Sequence, residues 1–117
     1  MTTQLASKKV ALENILFATD FSKRSDKALP FVLSIARKYG STVVATHVHS
    51  FAPLGEITPT IELQSIAAQA LKEANEKMKL LEPQFRGIPH EFIFRRGDIW
   101  NELSGLIEVM GIDMIVV

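Results

Sequence analysis

Apolar positions along the chain alternate between two periods. "NILFAT" (14–19) is a short apolar run rich in strand formers, and "STVVATHVH" (41–49) is a second in which β-branched residues predominate. "HEFIFR" (90–95) is a third, with Phe92 and Phe94 on one face and Ile93 on the other, and "DMIVV" (113–117) is a fourth. Ile115, Val116 and Val117 are apolar in succession, the pattern of a strand buried on both faces of a parallel sheet.

Between these runs the spacing lengthens to three and four. Ala28, Leu29, Val32, Ile35, Ala36 and Tyr39 mark a helix within 22–39, stopped by Gly40. Pro30 conflicts with a regular interior turn, so this helix is expected either to begin late, near Asp26, or to bend at the proline. A second helix is predicted from Pro59 to Leu81 through Leu63, Ile66, Ala67, Ala70, Leu71, Ala74 and Met78, with Thr58 as N-cap and Pro59 at the first helical position. Ile99, Leu103, Leu106, Ile107 and Met110 define a third, begun by Asp98 and closed by Gly111.

The order β-α-β-α-β-α-β predicts an α/β fold: an open parallel sheet with helices on both faces and right-handed crossovers. A chain of 117 residues suits one domain with a real core. The longest irregular stretch, Ser50 to Pro59, is expected to be a mobile loop. The last apolar run reaches Val117 with no polar turn after it, so residues 1–117 are expected to form a single domain that is incomplete at its C-terminal side.

Charge and composition narrow the partners. Thirteen Lys and Arg balance thirteen Asp and Glu, which removes the basic excess that nucleic acid or an anionic membrane would need. The absence of cysteine excludes disulfides, thiolate metal sites and thiol nucleophiles. With no signal-like N-terminus and no membrane-length apolar run, the expected location is the cytoplasm.

In an open parallel sheet, ligands bind beyond the carboxyl ends of the strands, where strand order reverses. The residues to weigh there are Thr19 and Asp20, then His49 to Phe51, then Arg95 to Asp98. Neither a Gly-x-x-x-x-Gly-Lys loop nor a Gly-x-Gly-x-x-Gly turn occurs, and no Gly-x-Ser-x-Gly elbow supplies a nucleophile. A phosphoacceptor domain would need a carboxylate ending the third strand, where Arg95-Arg96 stand. His47 and His49 share one strand face and either begin a metal site or are simply a hydrogen-bonded His47 with His49 at the sheet edge. Arg95-Arg96-Gly97-Asp98 reads as an anion site at a helix start, or as a glycine turn with an aspartate cap and solvated arginines. Asp20 is open in the same way: it either caps the first helix together with Ser22 or accepts from ligand hydroxyl and amino groups.

The stretch from Asn14 to His49, with Thr-Asp-Phe-Ser after the first strand and Ala-Arg-Lys-Tyr-Gly closing the first helix, resembles the universal stress protein family. So do Gly97-Asp98 opening the third helix and Ile-Asp-Met-Ile-Val-Val as the fourth strand; the resemblance runs from Asn14 to Val117. It implies a fold like that of the adenine-nucleotide alpha hydrolases, with strand order 3-2-1-4-5, the fifth strand lying beyond this chain, and assembly as a homodimer. By motif match, Thr19 and Asp20 stand where nucleotide-binding members contact adenine and ribose, Val48 where they line the adenine pocket, and Ala18 where they often carry proline. The glycine loop that grips phosphates in those members follows the fourth strand, beyond Val117. The resemblance therefore implies a stress-response module that binds ATP, with Mg²⁺, when complete and works through self-association. The alternatives are a scaffold dimer that binds no nucleotide and a slow ATPase, and the last lacks a visible general base and nucleophile.

Overall fold

The four apolar runs form the strands β1 (Asn14–Ala18), β2 (Thr42–His49), β3 (His90–Arg96) and β4 (Met114–Val116), all parallel and in the order β3-β2-β1-β4. The computed structural model describes residues 11–49 and 61–117, the side chains of 61–63 excepted. The helices are α1 (Lys23–Tyr39), α2 (Ile61–Leu81) and α3 (Ile99–Met110), with a 3-10 turn at Glu82–Phe85. The expected loop at Ser50 to Pro59 and the expected cap at Thr58 lie outside the described residues.

Strand order decides which helix covers which face. The chain steps from β1 to β2 to β3 in one direction, then crosses back to the far side of β1 to form β4. Right-handed crossovers therefore put α1 and α2 on one face and α3 on the other. The two-residue strand period divides the core accordingly. Ile15, Phe17, Val43 and Ala45 pack with Leu29, Val32 and Leu33 of α1, Met78 of α2 and Phe85. Leu16, Val44 and Ile93 pack with Leu103 and Leu106 of α3. Phe92 and Phe94 lie against the first cluster and Ile93 within the second, as the alternation predicted.

The expectation of a late start for the first helix is corrected. Ser22 is the N-cap, its hydroxyl accepting from the Ser25 N–H at 3.2 Å, and α1 runs from Lys23 through Pro30 to Tyr39. A firm cap sets the helix going a full two turns before the proline, and Pro30 lies on the exposed side, where its ring displaces no core contact. Both α1 and α3 end on glycines in the left-handed region, Gly40 at φ 66° and Gly111 at φ 60°, where a Cβ would be strained.

A latch joins β1 to β4. The Asp113 carboxylate accepts from the backbone N–H groups of Glu13 at 2.9 Å and Asn14 at 3.0 Å, and its own N–H donates to the Asn14 carbonyl at 2.9 Å. The Asn14 amide in turn donates to the carbonyls of Met110 and Gly111, which end α3 without helical partners. Ser41, fully buried between α1 and β2, donates its hydroxyl to the Leu12 carbonyl.

Candidate functional site

The reversal of strand order leaves a cleft of about 380 Å³ at the carboxyl ends of β1 and β2. Ala18, Thr19, Asp20 and Val48, the four residues singled out from the sequence, all line it. The opposite wall comes from the start of α3, through Ile99, Trp100 and Leu103, with Val117 beyond β4 closing one side. Ser22, Arg24 and Ser25 at the start of α1 form a polar rim. An apolar chamber with a narrow polar edge suits a planar, largely apolar group that carries a few hydroxyls.

Asp20 is not the helix cap. Its Oδ1 accepts from the Ser22 N–H at 2.9 Å, an aspartate turn two residues long, and from the Ser25 hydroxyl at 2.8 Å. Hydrogen bonds from the Ser22 side chain and backbone and from the Ser25 hydroxyl hold its carboxyl well below the ordinary 3.8, at about 2. The group is therefore a carboxylate at any physiological pH. Among the described residues Oδ2 takes no hydrogen bond, so one oxygen shapes the turn and the other is available at the cleft.

This turn is strained and braced from behind. Phe21 has φ 62°, a conformation that a bulky residue rarely adopts. Its N–H donates to the Thr19 hydroxyl at 3.0 Å. Its ring lies 4.8 Å from the His47 ring, and Lys77 of α2 sits 5.7 Å from the phenyl centroid. His47 bonds through Nδ1 to the Thr19 carbonyl at 2.9 Å, while the Thr19 N–H donates to the Thr46 carbonyl at 2.9 Å. The backbone and hydroxyl of buried Thr19 are thus committed to the turn, and its role at the cleft is to form the wall.

The other sequence candidates resolve differently. Asp98 caps α3 by accepting from the Asn101 N–H at 3.0 Å, and Gly97 makes the turn at φ 138° with its N–H on the His49 carbonyl. The cap and turn account for that pair without a ligand. His47 and His49 have ring centroids 6.5 Å apart, and among the described residues no group of three or more His, Asp or Glu side chains gathers as a metal site would require. Sequence reasoning missed the α3 wall. Trp100 lies three positions before Leu103 and seven before Ile107, at the edge of the apolar stripe of α3, yet it is 64% exposed; an aromatic in the first turn of a helix that follows the carboxyl end of a strand was the signal available.

The model of the universal stress protein family matches residues 11–117. The structure resembles the universal stress protein UspA of Lactobacillus plantarum, with a TM-score of 0.80 and 18% identity, covering 92% of this chain and 77% of that one. It resembles a universal stress protein in complex with cAMP, with a TM-score of 0.59 and 21% identity over 92% of this chain and 73% of that one. A universal stress protein family member from Arabidopsis thaliana with AMP bound aligns with a TM-score of 0.65 and 16% identity, over 90% of this chain and 75% of that one. No curated protein matches the sequence.

Proposed function

Because the chain belongs to the universal stress protein family over residues 11–117, we propose that it is a stress-response module that binds an adenine nucleotide in the cleft at the ends of β1 and β2 and acts through self-association. Val48 and Ala18 form the floor beneath the adenine, Trp100 and Leu103 the facing wall, and the Asp20 Oδ2 accepts from ribose hydroxyls. Arg24 on the rim is the cation nearest to hand for an anionic group. Mg²⁺ enters with the phosphates of ATP, since the described residues offer it no cluster of their own.

One observation carries this reading: Asp20 is an ionised carboxylate, with one oxygen uncommitted among the described residues, at the mouth of an apolar cleft. A helix cap would explain such a carboxylate, but Ser22 already fills that role. Structural neighbours with cAMP and AMP bound support the same class of ligand.

A second reading, a self-associating scaffold without nucleotide, draws on exposed apolar surface at Val109 of α3 and Ile115 of β4. Calorimetry with ATP and Mg²⁺ separates the two. The first reading expects saturable binding that Asp20→Ala weakens at least tenfold, about 1.4 kcal/mol, with little change in melting temperature. Affinity that survives Asp20→Ala sinks the assigned role of Asp20. No heat of binding, together with a dimer in sedimentation, favours the scaffold.

A further inference from the structure

The turn that carries Asp20 is held from the other face of the sheet. From this we infer that Phe21 and His47 are positioning residues for the cleft: neither lines it, and both act on a bound ligand through the Asp20 carboxylate. The ligand in this inference rests on the nucleotide reading, whereas the placing of Asp20 can be measured with no ligand present.

Phe21 is the middle residue of the turn in which the Asp20 Oδ1 accepts from the Ser22 N–H. Its φ therefore decides where the carboxylate stands relative to the start of α1. Among the described residues Phe21 is the one non-glycine residue at positive φ, a conformation that glycine takes without strain. A bulky residue persists there only where its surroundings over-determine it, and such places cluster at functional sites. Here several elements supply that constraint. At the end of β1 the Thr19 hydroxyl accepts from the Phe21 N–H. From β2 the His47 ring lies 4.8 Å from the phenyl ring, and from α2 the Lys77 ammonium stands 5.7 Å from its centroid. The phenyl also packs against the core cluster that contains Phe17, Leu29 and Met78. The side chain thus makes a local bend part of the core. A turn that served only to start α1 would have no use for this, since Ser22 is the cap.

His47 holds the same turn from its other side. A carbonyl oxygen only accepts, so the His47 Nδ1, 2.9 Å from the Thr19 carbonyl, carries a proton and donates it. Thr19 immediately precedes Asp20, and its own N–H donates to the Thr46 carbonyl at 2.9 Å. These two bonds fix the peptide from which the carboxylate hangs. Asp20 itself is exposed, so its direction depends on what grips its neighbours. Ser22 and Ser25 engage its Oδ1, while Phe21 and His47 secure the backbone beneath it.

The test begins without ligand, by carbon NMR of the Asp20 carboxyl in the full chain and in Phe21→Gly, His47→Phe and His47→Asn. At about pH 4 the parent carboxyl, held at about 2, is expected to be ionised, whereas one returned towards 3.8 is roughly half protonated. Phe21→Gly, free to sample both signs of φ, is expected to gain protonation. His47→Phe keeps a ring and loses the donor, and is expected to move the same way. His47→Asn, whose amide restores a donor, is expected to lie nearer the parent. Calorimetry with ATP and Mg²⁺ follows. Phe21→Gly is expected to weaken ATP about fivefold in the parent chain and not at all in Asp20→Ala, because both changes act through one carboxylate. Asp20 ionised as in the parent in both Phe21→Gly and His47→Phe overturns the inference. So do affinity losses from Phe21→Gly and Asp20→Ala that add in full, and His47→Asn no nearer the parent than His47→Phe overturns the role of His47. A parent that binds no ATP sinks the nucleotide reading, and the carboxyl measurement then decides the positioning by itself. Should Phe21→Gly fail to fold, the two His47 variants carry both measurements.

Discussion

The two faces of the sheet are built from the same strands and do different work. On one, α1 and α2 seal Phe17, Leu29, Val32, Met78 and Phe85 to within 1% of full burial. On the other, α3 alone anchors itself through Leu103 and Leu106 and leaves Trp100 and Val109 exposed. Alternation by two sends Ile15, Phe17, Val43 and Ala45 to the sealed face and Leu16, Ala18, Val44 and Val48 to the open one. Stability is concentrated where two helices cover the strands, and the cleft that holds Asp20 opens where one does. The Thr19-to-Ser22 turn belongs to both: Phe21 and His47 fix it to the sealed face while Asp20 faces the cleft.

That contrast can be broken by mutation. The largest expected effect is Phe85→Ala on the sealed face, at about 3–5 kcal/mol, against about 2 kcal/mol for Leu106→Ala on the open face. A domain of this size has only about 5–15 kcal/mol in total. Equal losses in urea denaturation would show that the faces share the stabilisation evenly.

A smaller effect of opposite sign is expected at Thr46, on the open side of β2. It is fully buried, and its hydroxyl has no hydrogen-bond partner among the described residues. Thr46→Val replaces that hydroxyl with a methyl of similar shape and is expected to stabilise by about 1 kcal/mol. Calorimetry should show a melting temperature higher by a few degrees; a decrease would mean that the hydroxyl is satisfied in solution.

The smallest effect concerns acid. Because the folded state holds Asp20 at about 2 rather than 3.8, its ionised form favours folding, and that contribution is present above about pH 4 and lost as pH falls towards 2. Asp20→Asn should lower stability slightly at neutral pH and flatten the acid limb between those values. Stability curves that run parallel from pH 6 to 2 would show that the turn's hydrogen bonds persist unaided by charge.

Much of this was legible in the sequence. Four apolar runs and three helical stripes determined the strands, the helices and the class of sheet, because burial on one or two faces writes a period into the chain. The strand order came from resemblance, since no local pattern says on which side of β1 a later strand will dock. The cleft residues Ala18, Thr19, Asp20 and Val48 were found because strand ends are identifiable positions. What escaped were the relations between distant side chains. The Asp20 oxygens divide their tasks only because Ser25 comes round one helical turn to meet them. Trp100 comes to line the same cleft as Ala18 only after the β3-to-β4 crossover brings α3 over the sheet. Pro30 misled for the opposite reason: a strong local rule was outweighed by a well-capped helix start and an exposed site.

The latch between Asp113 and the backbone of Glu13 and Asn14 spans 100 and 99 positions of sequence. The Asp20 turn closes over five. Contacts at long sequence separation are the slow ones to form, and those on short, open elements are the first to be lost in native-state fluctuations. A partly folded chain would already hold Asp20 in its turn but have no wall facing it. Recognition in the cleft is therefore a late event of folding, contingent on β1 and β4 having met, and amide exchange at Glu13 and Asn14 becomes a clock for how often the cleft comes apart.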